Sequence, residues 1–151
     1  MKVLKFGGSS LNDENCITQV KDILLSYADN TRTAVVLSAM KGITNSLIYS
    51  AKNAEAGNKD YKNELNKIKE RHINVIKKLF KNEEHKKIIN QFKLMFSDLE
   101  DILHGVELIH ECTLRSMDLI MSFGERLSCK LVYLLLNSLG LNAEFVDARD
   151  I

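Results

Sequence analysis

Three stretches of the chain carry residue types that handle phosphate and carboxylate groups. The first is Lys5-Phe6-Gly7-Gly8-Ser9-Ser10, directly after a short apolar start. Glycines at the end of a strand let the backbone approach a ligand closely, and successive N–H groups leading into a helix make an anion site. Lys5 adds a full positive charge at the same place. The chemistry this suits is phosphate binding, although the lysine precedes the glycines and the Walker A order is absent. A tight strand-to-helix turn with a snorkelling lysine is the plain alternative. The second stretch is "VVLSAMKGITNSL", Val35 to Leu47. It puts Ser38 at the end of a strand and Thr44 and Asn45 at the start of a helix. Hydroxyls and N–H groups there suit a small carboxylate-bearing ligand, and simple helix capping by Thr44 or Asn45 accounts for the same residues. The third is "SFGERLS", Ser122 to Ser128. Glu125 sits beside Gly124 on a helical face with Met121, Ser122, Ser128, Cys129 and Val132, while Ile120, Phe123, Leu127, Leu131 and Leu134 form the core face. An acid sheltered on such a face needs a cationic partner or a hydrogen-bonded ligand. An exposed glutamate paired with a neighbouring Lys or Arg is the competing reading.

The elements that must position these residues follow from hydrophobic period. Lys2 to Phe6 reads as a buried strand stopped by Gly-Gly, and Thr33 to Ser38 as a second strand rich in β-branched residues. Between them, Asn12 or Asp13 caps a helix with Ile17, Val20, Leu24 and Tyr27 on one face. Strand, helix, strand, helix with short joins is the pattern of a parallel sheet with crossovers. From Tyr61 the rhythm changes. Tyr61, Leu65, Ile68, His72, Val75 and Leu79, then Ile88, Phe92, Met95, Leu99 and Ile102, give two one-sided stripes and predict a helical hairpin laid against the α/β core. Gly105 predicts a break before a short helix, Val106 to Cys112. A long helix follows from about Ser116 to Asn137, ending at a C′ glycine, Gly140. "AEFVD", Ala143 to Asp147, predicts a third strand. Three strands are few for a doubly wound sheet, so the chain is expected to be part of a larger domain.

The bulk numbers exclude more than they assign. The 151 residues suffice for one domain with a sizeable core, and 45% apolar with 27% charged residues is an ordinary globular composition. Basic and acidic side chains number 21 and 20, for a net charge of +1. That balance points to neither a nucleic-acid nor a membrane partner. Three widely spaced cysteines form no CxxC pair, and no stretch has signal-peptide or bilayer-spanning length; both fit a reducing cytoplasm. The four histidines show no HxxxH or HxH spacing, and no Ser/His/Asp or Cys/His elbow is present.

Taken in order, "VLKFGGSS", "VVLSAMKGITNSL" and "SFGERLS", with "FVDARD" at the end, resemble the N-terminal half of aspartate kinases, members of the amino acid kinase family. The family's opening loop usually ends Gly-Gly-Thr-Ser, so Ser9 is a mild departure that keeps the hydroxyl. The stretch from Asp101 to Ser128 also looks like the form found in bifunctional aspartokinase/homoserine dehydrogenases. The resemblance implies a three-layer α/β sandwich with a mainly parallel sheet, residues 1–151 being its N-terminal part with a helical insert at about 58–114. It implies transfer of the ATP γ-phosphoryl group to the side-chain carboxylate of L-aspartate, opening lysine, threonine and methionine biosynthesis. Lys5 would be catalytic, Lys5, Gly7, Gly8 and Ser9 would hold the phosphates, and Ser38, Thr44 and Glu125 would hold the amino acid, Glu125 at its α-ammonium. ATP with Mg2+ carried mainly by its phosphates would be the cofactor set, in a cytoplasmic homo-oligomer. The family's nucleotide-binding half and regulatory domain lie outside these motifs, so the chain alone is expected to show no turnover. Another amino acid kinase, such as an acetylglutamate or glutamate 5-kinase, and a non-catalytic binding or interaction module are the competing readings.

Overall fold

The computed structural model describes residues 1–27, 32–81 and 83–150. Strand β1 (Lys2–Phe6) runs into a short 3-10 turn (Gly8–Leu11) and helix α1 (Glu14–Ser26); β2 (Thr33–Leu37) leads to α2 (Ile43–Glu55). Three longer helices follow: α3 (Asp60–Leu79), α4 (Glu84–Ile109) and α5 (Leu114–Ser138). β1 and β2 pair in parallel, with Lys2 opposite Thr33 and Phe6 opposite Leu37. Asp13, one of the two expected caps, starts α1: its Oδ1 accepts the N–H groups of Asn15 and Cys16, both at 3.0 Å. Those bonds, the one from Cys16 first, hold its carboxyl below the usual range.

Among the described residues, the sheet is covered on one face only. Leu4, Phe6, Val35 and Leu37 pack towards the helices, whereas Val3 is 64% and Val36 49% exposed, with Lys5 and Ala34 on the same outer side. Lys2–Phe6 is therefore a half-buried strand, a correction to the buried one expected. Val3 is as apolar as a core residue, so composition could not reveal which face lacks a cover.

The helical hairpin is present as α3 and α4. Tyr61, Leu65, Ile68, His72 and Val75 are buried on α3, and Ile88, Phe92 and Leu99 on α4. Met95 and Ile102 are only half-buried; Phe96, Leu103 and Val106 take the core positions instead, because the buried stripe on α4 advances 88, 92, 96, 99, 103, 106. The break at Gly105 does not occur: α4 continues to Ile109, and a Cβ at 105 would meet nothing within 4 Å. A glycine on an open helix flank costs only about 1 kcal/mol of propensity, too little to stop a helix anchored on both sides by packing. The chain turns instead at His110, whose φ is +54 and whose ring lies against Gly57. Gly140 ends α5 as expected, with φ +82 and the paired bonds Gly140 N–H to Asn137 O and Leu141 N–H to Leu136 O.

The third strand is absent among the described residues. Residues 141–147 form no regular element; they alternate half-buried with exposed but join no ladder. Asn137 takes the place of a partner strand at one residue: its side chain donates to Ala143 O at 3.2 Å and accepts from Ala143 N–H at 2.9 Å. Alternation marks a strand-like surface and does not supply the neighbour that makes it one.

Candidate functional site

The glycine turn and the loop after β2 lie against each other at the carboxyl rim of the sheet. Ser38 N–H donates to Phe6 O at 3.0 Å, and Lys41 N–H to Gly8 O at 3.1 Å. A Cβ on Gly8 would stand 2.8 Å from the Ala39 carbonyl oxygen, so only glycine allows this approach. The same Ala39 receives α5 from another direction. A Cβ on Gly124 would come within 2.7 Å of the Ala39 Cβ and 3.4 Å of Leu47 Cδ1. Ala39, itself buried, is thus wedged between Gly8 and Gly124. All three chemical stretches meet on one residue.

Helix α2 begins where this wedge ends. Its N-cap is Gly42, at φ +84, with no side-chain cap, so neither Thr44 nor Asn45 performs the capping that would have explained them. They occupy the second and third helical positions, in the first turn, where backbone N–H groups have no carbonyl four residues earlier. Thr44 is half-buried and Asn45 exposed. Ser38, half-buried, sits directly before Ala39.

Glu125 is half-buried and, among the described residues, makes no ion pair. Its neighbour Arg126 is engaged elsewhere: the guanidinium lies 4.6 Å from the Phe123 ring centroid and its Nε 3.3 Å from Asp147 Oδ2. Asp147 also takes Arg149, whose hydrogen bonds hold the Asp147 carboxyl down at about 2. The competing account of Glu125, a surface acid paired with the next cation, is therefore not what the structure shows. One turn on, burial pushes the Cys129 thiol up, with the Glu125 charge adding and the nearby Leu37 backbone opposing. The helix face differs from the expected one in part: Ser128 and Val132 are buried with the core, and Leu134 is only half-buried.

The structure thus brings the glycine turn, the loop from Ser38 to Gly42 and Gly124 of α5 together around Ala39, with Thr44 in the first turn of α2 and Glu125 next in sequence to Gly124. Lys5 stands apart. It belongs to the same strand end, two residues before Gly7, but it is exposed on the outer face of the sheet, the side that the helices leave uncovered. It has no ion pair among the described residues. A depression of about 230 Å³ opens beside the turn on the α1 side, lined by Phe6, Ser9, Ser10, Cys16, Gln19, Val20 and Ile23, and none of Ser38, Thr44 and Glu125 borders it.

One residue at the rim escaped the sequence reading. Arg71 of α3 donates from Nη1 to Lys41 O at 2.6 Å and from Nη2 to Asn12 O at 2.8 Å. Its only sequence signal is that it is the single arginine among the basic residues of α3, otherwise all lysines.

The amino acid kinase family model matches residues 1–151. This chain belongs to the amino acid kinase family. An aspartokinase of Candida albicans is 34% identical over 157 residues, covering 99% of this chain and 28% of its own length. A bifunctional aspartokinase/homoserine dehydrogenase of Buchnera aphidicola is 31% identical, over 97% of this chain and 18% of its length. The crystal structure of Escherichia coli aspartokinase III in complex with aspartate and ADP superposes with a TM-score of 0.80 at 26% identity, covering 95% of this chain and 30% of that one. The amino acid kinase fold expected from the three motifs is therefore present, with aspartokinases as the relatives. The chain spans between a quarter and a third of the length of the Candida albicans and Escherichia coli aspartokinases.

Proposed function

We propose that the complete protein is an aspartate kinase, transferring the ATP γ-phosphoryl group to the side-chain carboxylate of L-aspartate. The observation that carries this is the wedge at Ala39, where the glycine turn, the β2–α2 loop and the Glu125 segment close on one another. That aspartokinases are the relatives, one of them solved with aspartate and ADP, supports the choice of substrate.

The rim suits anionic phosphate. Gly7 has open space around it, Ser9 is exposed in the first turn after it, and α2 points its N-terminus at the same rim. Gly7 and Gly8 would hold phosphates through backbone N–H groups, Ser9 through its hydroxyl or N–H. Lys5 would swing its long side chain over the rim to neutralise charge on the transferring group. Mg2+ would be carried mainly by the nucleotide's own phosphate oxygens. Ser38 and Thr44 would bond the amino acid, and Glu125 would pair with its α-ammonium, a role open to it because Arg126 is taken by Asp147. An aspartate side chain is already ionised at neutral pH, so the acceptor needs no general base. Positioning and electrostatic stabilisation then suffice for catalysis.

The proposal extends to the cell: a cytoplasmic homo-oligomer at the first step of lysine, threonine and methionine biosynthesis. No helix among the described residues is long and apolar enough to cross a membrane. Residues 1–151 would be the N-terminal part of the kinase domain, the rest of the protein completing the nucleotide site, so the chain alone would not turn over. The test is aspartate-dependent ADP formation by the complete protein, against a panel including glutamate and acetylglutamate. Turnover with aspartate alone is the expected result. Preference for another amino acid, or no turnover at all, overturns the proposal.

A further inference from the structure

We propose that Arg71 is a positioning residue for phosphoryl transfer, setting the spacing between the glycine turn and the β2–α2 loop; this rests on the kinase reading above. Its guanidinium makes three hydrogen bonds to two segments far apart in sequence: Lys41 O at 2.6 Å, Asn12 O at 2.8 Å and Asn12 Oδ1 at 3.2 Å. The Asn12 amide is oriented for this by its own bond, Nδ2 to Asp13 Oδ2 at 3.0 Å, and Asp13 is the cap of α1. On the other side, Lys41 N–H donates to Gly8 O. The two segments and the guanidinium therefore form a closed ring: Arg71 to Lys41, Lys41 to Gly8, along the turn to Asn12, and back to Arg71.

The ring encloses the backbone proposed to cradle phosphate, but Arg71 is not itself a phosphate ligand. Its bonding fork is spent on carbonyls, and it acts through the loops. A planar fork of donors can hold two carbonyls in a set geometry, which a single ammonium on a flexible stem cannot. Two turns later on α3, Lys78 reaches Glu14 Oε1 at 2.8 Å, also joining α3 to the start of α1. That pair touches neither loop, and the Lys78 side chain is 60% exposed, so it is a built-in control. A shift of about 1 Å in a positioned reactant costs about a hundredfold in rate, which is the scale at stake.

The experiment uses the complete protein. Arg71→Met is expected to lower kcat for aspartate-dependent ADP formation about ten- to a hundredfold while KM for aspartate stays within about a factor of three. Arg71→Lys keeps the charge and the stem and cannot bridge both carbonyls; it is expected to fold normally yet recover little of the lost kcat. Hydrogen exchange read by mass spectrometry should quicken in segments 7–13 and 38–45 of Arg71→Lys and stay unchanged in α4. Lys78→Met should keep the wild-type kcat. Wild-type kcat and loop exchange in Arg71→Lys overturn the proposal. So does loosening of α4 along with the loops, which would make Arg71 a general support of the fold. If the wild-type protein itself shows no aspartate-dependent turnover, the kinase reading fails and the catalytic role goes with it, while the exchange data still decide whether Arg71 tethers the two loops.

Discussion

The rim of the sheet and the α3–α4 hairpin are held together in opposite ways. At the rim, backbone meets backbone across glycines: Gly8 against Ala39 O, Gly124 against Ala39 Cβ, Lys41 N–H on Gly8 O. In the hairpin, side chains fill the space. Phe92 and Tyr61 are fully buried, and His72 lies 5.7 Å from Phe96 and 6.3 Å from Phe92, centroid to centroid. The first arrangement leaves main-chain donors near the surface where a ligand can reach them. The second uses up its surface in packing and leaves little for chemistry. Damage to the hairpin should therefore appear as lost stability, and damage to the rim as lost turnover.

The largest effect should come from the hairpin. Phe92→Ala is expected to cost about 3–5 kcal/mol, read as lost exchange protection in α3 and α4, with kcat per folded molecule unchanged. A parallel collapse of kcat would break the contrast between the two regions. Next is a pH effect at His72, whose Nδ1–H donates to Ile68 O at 2.8 Å while its Nε2 is buried without a partner. Burial holds its pKa down at about 4, against 6.5 for a free side chain. The unfolded chain therefore takes up a proton that the folded chain refuses. Stability from this residue is complete above pH 6.5 and declines as pH falls towards 4, by an amount on the order of 3 kcal/mol. Denaturation of wild type and His72→Leu across that range should show the slope in the first and its reduction in the second; equal slopes would remove His72 as the cause.

At the rim, Lys5→Ala should lower kcat about a hundredfold with no change in stability, by analogy with the removal of one charge-stabilising group. An unchanged kcat would take Lys5 out of the mechanism. Gly8→Ala forces a Cβ onto a backbone oxygen that cannot rotate away. It should cost about 1–3 kcal/mol locally and lower kcat, with faster exchange in segment 38–45 and none in α4. The mildest change sharpens the assignment of roles. Glu125→Ala should raise KM for aspartate about tenfold, the loss of one charged contact, and leave KM for ATP alone. A defect confined to ATP would refute its place at the amino acid.

Legibility followed the range of the interactions. The chemistry-bearing residues were found because each motif is contiguous: a strand end, two glycines and hydroxyls stand within six positions. Their convergence was foreseen only through a parallel sheet, and it was the contact of Gly124 with Ala39 that joined the third motif to the other two. Arg71 was invisible because its two shorter bonds go to main-chain carbonyls at Asn12 and Lys41, and a carbonyl leaves no mark in a sequence. The strand expected at 143–147 is absent for a related reason: alternation describes one segment, whereas a ladder needs two.

The sequence by itself determined the local elements, since period, caps and glycines act within a few residues: both strands, a cap at Asn12 or Asp13, the Gly140 terminus and the apolar stripe of α3 from Tyr61 to Val75. It determined the family too, through three ordered motifs. Only the tertiary structure decided which sheet face is bare, which positions of α4 and α5 reach the core, and that Arg126 belongs to Asp147 and so leaves Glu125 unpaired. Those outcomes depend on which distant segment arrives at a surface, and packing of the whole chain settles that.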